Sequence, residues 1–349
     1  LDGGKNSEYS RLQLNSTTSI AITIGTLLLS ATGASASELI TNFLNTFKEQ
    51  NATRILNGQK PLGDIYSDGT DIFISSSEVI TNPSNVIITS DTFIDTADYS
   101  TVGLESIEVE MKDVGNSTVK VSDGSIDILI DIERVVGSSL NDIMYGNSAD
   151  NIFEGGKGDD QLFGGAGNDT LYGGDGNDTI KGGLGVDILD GGKGNDTFIA
   201  TVGDGIDTVD GGEGSDTIDY SSYTNTNISV TLNGAIQSRV NIGGTDEDYI
   251  KGIENVITGD GDDTLTGDDN NNTFIANGGN DTLLGGKGDD YLNGGADIDT
   301  VDYSYIDGYG TNTKGVVVDL ANNKAFDMSG STEFLVGTDT LIDIENAKG

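Results

Sequence analysis

The residues best placed to do chemistry are aspartates that recur every nine positions, each preceded by glycines. From Gly137 the chain reads GSSLNDIMY, GNSADNIFE, GGKGDDQLF, GGAGNDTLY, GGDGNDTIK, GGLGVDILD and GGKGNDTFI, ending at Ile199. After Ala200 and Thr201 the cadence resumes as VGDGIDTVD from Val202 and GGEGSDTID from Gly211. A second block opens at Thr258 with TGDGDDTLT, GDDNNNTFI, ANGGNDTLL, GGKGDDYLN and GGADIDTVD. The shared pattern is G-G-x-G-x-D-x-U-x, with U a large apolar residue. Glycine at steps one, two and four permits left-handed backbone, so a six-residue loop can curl with its carbonyls inward. The aspartate at step six adds a carboxylate. Such a loop suits a hard cation with six to eight oxygen ligands at about 2.3–2.6 Å, calcium better than the geometrically stricter magnesium. Steps seven to nine read as a short strand whose central residue (Leu162, Leu171, Ile180, Leu189, Phe198) points inward.

Composition narrows the rest. Fifty-eight acidic residues stand against 17 basic ones, for a formal charge of -41 over 349 residues. That charge repels itself unless cations neutralise it, and it argues against nucleic acid as a partner. With no histidine and no cysteine, Ser-His and Cys-His catalysis, disulfides and zinc or iron sites built on those ligands are excluded. No H-E-x-x-H or G-x-S-x-G motif occurs, so protease and lipase chemistry of those types is absent. There is no tryptophan and aromatic content is 6%, which leaves little for a large apolar core. The length allows two or three domains.

The nonapeptides of residues 137–219 and 258–302 resemble those of the RTX, or hemolysin-type calcium-binding, repeat family, whose repeat folds as a parallel β-roll. The resemblance implies two nonapeptides per coil, with calcium ions held between loops 18 residues apart. In that scheme the upper loop offers the carbonyls of steps two and four plus its aspartate. The lower loop offers the carbonyls of steps one and three plus its own. Carried onto this chain, one site joins Gly156, Gly158 and Asp160 to Gly173, Asp175 and Asp178. The next joins Gly165, Gly167 and Asp169 to Gly182, Leu184 and Asp187. A third joins Gly174, Gly176 and Asp178 to Gly191, Lys193 and Asp196. A fourth joins Gly192, Gly194 and Asp196 to Gly211, Glu213 and Asp216. In the second block Gly259, Gly261 and Asp263 face Ala276, Gly278 and Asp281, and Asp281 pairs with Asp299. The same rule implicates Asp142, Gly155, Lys157, Gly164, Ala166, Gly183, Gly185, Val202, Asp204 and Asp207 in the first block. In the second it adds Asn277, Gly279, Gly285, Lys287, Asp290, Gly294 and Ala296. One ion per loop pair gives up to about seven sites in the first block and about three in the second. Asn151 and Asn272 replace the step-six aspartate and predict weaker sites. Leu140 and Ala149 at step four predict capping turns.

A longer repeat overlies the short one. DTADYS at Asp95, DTIDYS at Asp216 and DTVDYS at Asp299 are each followed by an Ile-Glu unit: DIERVVGS, GIENVITGD and DIENAKG. Alternating segments between them (IEVEM, ISVTL, VVVDL) predict half-buried strands. These inserts are expected to cap one roll and launch the next, with the DYS tyrosine packing in the cap. The expected fold is therefore all-β dominated, with two parallel β-roll blocks separated by β-rich capping inserts and a small α/β or β N-terminal region. The divisions fall at 1–94, 95–136, 137–219, 220–257, 258–302 and 303–349. In the first of these, Ser37 precedes a predicted amphipathic helix over residues 38–50. Strands are predicted over 20–29, 71–75 and 86–89. Residues 20–29 followed by Ala34-Ser35-Ala36 superficially resemble a secretory signal, but Ile20, Ile22 and Ile24 alternate as in a buried strand. Asp64, Asp68 and Asp71 lack EF-hand spacing and read as turn chemistry.

By resemblance, this is a calcium-binding region of a large protein exported from a Gram-negative bacterium by type I secretion. Its expected place is outside the cell, attached at the surface, with an adhesin as the expected parent. The opening at Leu1 and the stop at Gly349 within a repeating pattern suggest a piece of a longer chain. The expected partners are calcium and a host or cell-surface glycan or protein, without catalytic activity or a membrane span. Alternatives are the export region of an RTX enzyme or toxin, or an S-layer subunit. An ice-binding roll is set aside, because step three reads Lys157, Ala166, Asp175, Leu184, Lys193 and forms no Thr or Asn ladder.

Overall fold

The structure, a computed structural model, describes residues 94, 96–100, 105–129, 132–304, 316–327 and 337–349. It also describes the backbone of four short strands, Asp64–Ser67, Ile72–Ser75, Ile80–Thr81 and Ile87–Ile88. The helix expected over 38–50, the strand over 20–29, and Asp68 and Asp71 lie outside the described residues. Strands do occur within the expected 71–75 and 86–89.

Each nonapeptide contributes one strand, and successive strands alternate between two sheets. Within a sheet the pairing is parallel and shifted by 18 residues, so Leu162 lies opposite Ile180 and Leu171 opposite Leu189. A two-residue interruption changes the shift to 20: Leu189 then meets Val209, and Phe198 meets Ile218. The extra residues are taken up in a turn where the Asp204 N–H donates to the Thr201 carbonyl at 3.0 Å. The step-eight residues form a buried file between the sheets, including Phe153, Leu162, Leu171, Ile180, Phe198, Val209 and Ile218. One apolar side chain per nine residues is a thin core, and the rest of each coil is loop.

The inserts do more than cap. Thr208–Glu213 pairs parallel with Thr245–Lys251 inside the insert, and Thr217–Asp219 pairs with Asn255–Ile257. The latter strand pairs in turn with Thr273–Ile275 of the second block. In that sheet parallel register thus runs from one repeat block into the other without a break. The insert's additional strands, Ile228–Thr231 and Ser238–Ile242, join Thr245–Lys251 in an antiparallel meander, and the first of them pairs parallel with Thr264–Thr266. Equivalent meanders occur at Ile107–Glu110, Ser117–Val121, Ile126–Leu129 and at Val316–Asp319, Lys324–Asp327, Thr338–Ile342. These two lie in the opposite sheet from the middle one.

The glycines divide into two kinds. Steps two and four of the regular loops are left-handed, as at Gly156 (φ 106°) and Gly158 (φ 108°), though not at Gly259 and Gly261, which open the second block; glycine adopts that backbone without strain. Step one differs from the expectation: it is not left-handed, and its glycine is required for space. A Cβ on Gly173 would overlap the Asp178 carboxylate and stand 2.6 Å from the Gly191 carbonyl oxygen.

Candidate metal centre

The step-six aspartates sit at the loop-to-strand junction on both edges of the roll and link successive coils. The Asp160 N–H donates to Asp178 Oδ1 at 2.7 Å, the Asp178 N–H to Asp196 Oδ1 at 2.8 Å, and the Asp196 N–H to Asp216 Oδ1 at 2.8 Å. On the other edge Asp169 donates to Asp187 and Asp187 to Asp207. The second block repeats this from Asp263 to Asp281 to Asp299, and from Asn272 to Asp290. One carboxylate oxygen of each acceptor is thereby committed to the backbone.

The other oxygen has no partner. Oδ2 of Asp160, Asp169, Asp178, Asp187, Asp196, Asp216, Asp263, Asp281, Asp290 and Asp299 is buried without a hydrogen bond. A buried acceptor left unpaired costs about 1–3 kcal/mol, and a charged one more. Ten in one repeating position point to an absent positive partner. The surroundings fit a hard cation. A Cβ on Gly174 would collide with the Gly156 carbonyl oxygen and one on Gly176 with that of Gly158, while the Gly173 carbonyl stands 2.7 Å from a Cβ built on Gly155. Carbonyls of steps two and four from above, and of step one from below, therefore enter the same gap. The step-three carbonyls of Asp175, Leu184, Lys193 and Glu213 accept backbone N–H bonds at 2.8–2.9 Å, which leaves each a second lone pair. Among the described residues no group of three or more acidic side chains converges. Any ion held here takes most of its ligands from backbone, as oxygen-rich calcium sites can.

Not every expected residue lies in such a gap. Asp142 receives the Ser138 N–H at 2.6 Å on Oδ2, and the Ile107 N–H at 2.7 Å and the Ser138 hydroxyl at 2.9 Å on Oδ1. Both its oxygens are occupied by protein donors, so it serves as a cap. Asn151 and Asn272 fold back onto their own loops, accepting from the N–H groups of Asn147 and Asp268 at 3.0 Å. Asp207 joins the ladder but is not among the unpaired group. The side chain of Asp204 accepts the Tyr223 hydroxyl at 3.1 Å, and Val202 is exposed. The side chains of Lys157, Lys193 and Leu184 also point to solvent, with Lys193 pairing with Asp175 at 2.9 Å. Asn277 (φ 63°) takes the left-handed place of the step-two glycine, and Ala276 is buried at step one.

Two sets of residues escaped the sequence reading. Step five, written there as any residue, forms a second ladder running the opposite way: Asn177 N–H donates to Asp159 Oδ1, Asn195 to Asn177, and Ser215 to Asn195, at 2.8–2.9 Å. The recurrence of Asn or Asp at this step was its signal. The inserts also carry buried acids. The buried hydroxyls of Tyr99, Tyr220 and Tyr303 donate to Asp127, Asp248 and Asp339, so the DYS tyrosine both packs and hydrogen-bonds.

A parallel β-roll with buried, unpaired carboxylate oxygens and inward carbonyls along both edges is a repeat solenoid whose loops suit cations. The RTX calcium-binding nonapeptide repeat (4 copies) matches residues 136–171, 163–198, 199–222, 250–283 and 266–301. These residues carry repeats of that family, which are calcium-binding motifs. No curated protein matches the chain.

Burial raises the carboxylates in the metal-free roll: Asp160 and Asp281 to about 8, Asp169 and Asp216 to about 7, Asp178 and Asp263 to about 6. An ordinary aspartate titrates near 3.8. The folded, metal-free roll thus binds more protons than the unfolded chain between about pH 4 and pH 8, and its stability must fall as pH rises through that window. In calcium-free buffer, β circular dichroism should be greatest near pH 4 and lost toward pH 8. With saturating calcium the trend should reverse, because protons compete with the ion. Parallel trends in both buffers would contradict this.

Proposed function

We propose that this chain is a calcium-assembled, non-catalytic region of a secreted bacterial surface protein, exported unfolded by type I secretion and folded outside the cell. The observation that carries this reading is the set of ten buried carboxylate oxygens without partners. In calcium-poor cytosol these charges repel, which suits passage through a channel as an extended chain. In calcium-rich surroundings each ion binds only the folded loops, so binding free energy becomes folding free energy. The ligands are the carbonyls and step-six carboxylates paired above, minus Asp142, whose oxygens are already satisfied. In an adhesin such a region holds a ligand-binding segment away from the cell as a calcium-stiffened spacer. Among the described residues no helix is long and apolar enough to cross a membrane.

The purified chain should show no protease, esterase or polysaccharide-modifying activity with or without calcium. Calcium-dependent turnover in any of these assays would move the assignment to an enzyme.

A further inference from the structure

Parallel register crosses each insert, yet the inserts lack the six-residue glycine loop. What replaces it is a three-residue turn. At Asp216 the coil below begins with Gly252-Ile253-Glu254. A Cβ on Gly211 would collide with the Gly252 carbonyl oxygen, just as one on Gly191 would meet the Gly211 carbonyl oxygen at 2.6 Å. Gly252 therefore stands where the next step-one glycine would be, and it is left-handed (φ 62°). Two residues later, Glu254 Oε2 accepts the Asp216 N–H at 3.0 Å, the bond that a step-six aspartate accepts elsewhere in the ladder. The third insert repeats this arrangement. Asp343 is left-handed (φ 49°), and Glu345 Oε2 accepts the Asp299 N–H at 2.8 Å. In both places the Asp216 or Asp299 carbonyl receives two N–H groups from the turn, at 2.9–3.2 Å.

The upper half of each gap keeps its step-six aspartate, although above Glu345 Asp297 (φ 84°) takes the place of the step-four glycine. Asp216 and Asp299 are fully buried, and each keeps an Oδ2 without any partner. We propose that Glu254 and Glu345 complete cation sites at these two junctions, facing Asp216 and Asp299 respectively. The extra methylene of glutamate spans the distance lost with the three missing loop residues, and the Gly252 carbonyl takes the step-one position. Asp248, six residues before Glu254, has the opposite fate. Its Oδ1 accepts the Asp207 N–H at 2.9 Å and its Oδ2 the Tyr220 hydroxyl at 2.9 Å. A phenol proton stands where the regular coils have an unpaired oxygen, so this rung takes no ion. Asp339 is bound in the same way, by Tyr303 and the Asp290 N–H. The second and third inserts thus each carry one acid for the metal and one sealed by tyrosine, in the spacing D-x5-E at Asp248/Glu254 and Asp339/Glu345.

This inference rests on the repeats being calcium sites, and the test separates the two. Bound calcium is counted on the whole chain by native mass spectrometry and by equilibrium dialysis with elemental analysis. The dialysis calcium is set just high enough to saturate the wild type. Glu254→Gln and Glu345→Gln keep an oxygen for the ladder bond but remove the charge. Each should lose one ion while the β circular dichroism in excess calcium stays unchanged, and the double variant should lose two. Glu254→Asp, too short to reach, should also lose one. Unchanged counts in folded Glu345→Gln and in the double variant would overturn the inference and leave the repeat sites standing. A wild type that binds no calcium would overturn both. Because Glu345 lies in a different coil from Glu254, its variant decides the matter even if Glu254→Gln does not fold.

Discussion

Stripping calcium from the chain at neutral pH should abolish most of its β circular dichroism, and returning millimolar calcium should restore it. Each site filled at about a hundredfold excess over its dissociation constant stabilises the fold by about 2.7 kcal/mol. Several such sites exceed the roughly 5–15 kcal/mol by which an ordinary domain is stable. The metal-free roll also retains ten buried carboxylate oxygens with no partner and only one buried apolar side chain per strand of the repeats. Magnesium should restore far less, because it sheds its waters reluctantly and demands a strict octahedron. Chelation followed by far-ultraviolet spectroscopy and a calcium titration would check this. An unchanged spectrum after exhaustive chelation would sink calcium-driven folding.

The largest single-residue effect should come from Asp178→Ala. Asp178 accepts the Asp160 N–H and donates its own N–H to Asp196, and its free oxygen lies buried beside Gly173 of its own loop. Its removal leaves the Asp160 N–H without an acceptor, at about 1–3 kcal/mol, and takes a charged ligand from the gaps above and below. Thermal melts at several calcium concentrations should show a midpoint for calcium-driven folding raised at least about tenfold, the equivalent of 1.4 kcal/mol. The transition should also be less steep. Asp142→Ala removes three protein hydrogen bonds and no unpaired oxygen. It should lower the melting temperature by a similar amount at every calcium concentration and leave the calcium midpoint nearly in place. Equal midpoint shifts in the two variants would mean that the pairing drawn between coils is wrong.

Much of this architecture was legible in the residues, for a local reason. The apolar step every nine residues gives each strand one inward side chain, and the coil of two nonapeptides that the family resemblance implied sets the 18-residue register that brings Leu162, Ile180 and Phe198 into one file. The step-six aspartate declared an oxygen-rich cation site, because a glycine loop followed by a carboxylate suits little else. The absence of histidine and cysteine removed the competing chemistries.

What only the tertiary structure decided involves partners far apart in the chain. Step-one glycine looked like a conformational requirement, but its cause is the carboxylate five residues on and the carbonyl of the coil below. Asp142 carries the same residue type as Asp178, and only the approach of Ser138 and Ile107 shows that its oxygens are taken. The inserts read as boundaries because glycine periodicity stops there. Strand pairing depends on backbone alignment rather than on glycine, so Thr217–Asp219 can pair with Asn255–Ile257 across 38 residues and Tyr291–Asn293 with Thr338–Ile342 across 49. The Ile-Glu unit was visible as a motif. That its glutamate occupies an aspartate's rung, while an aspartate six residues earlier is closed by a tyrosine 28 residues away at Tyr220, follows from how the coils stack. No local pattern encodes which side chain the neighbouring coil will bring alongside.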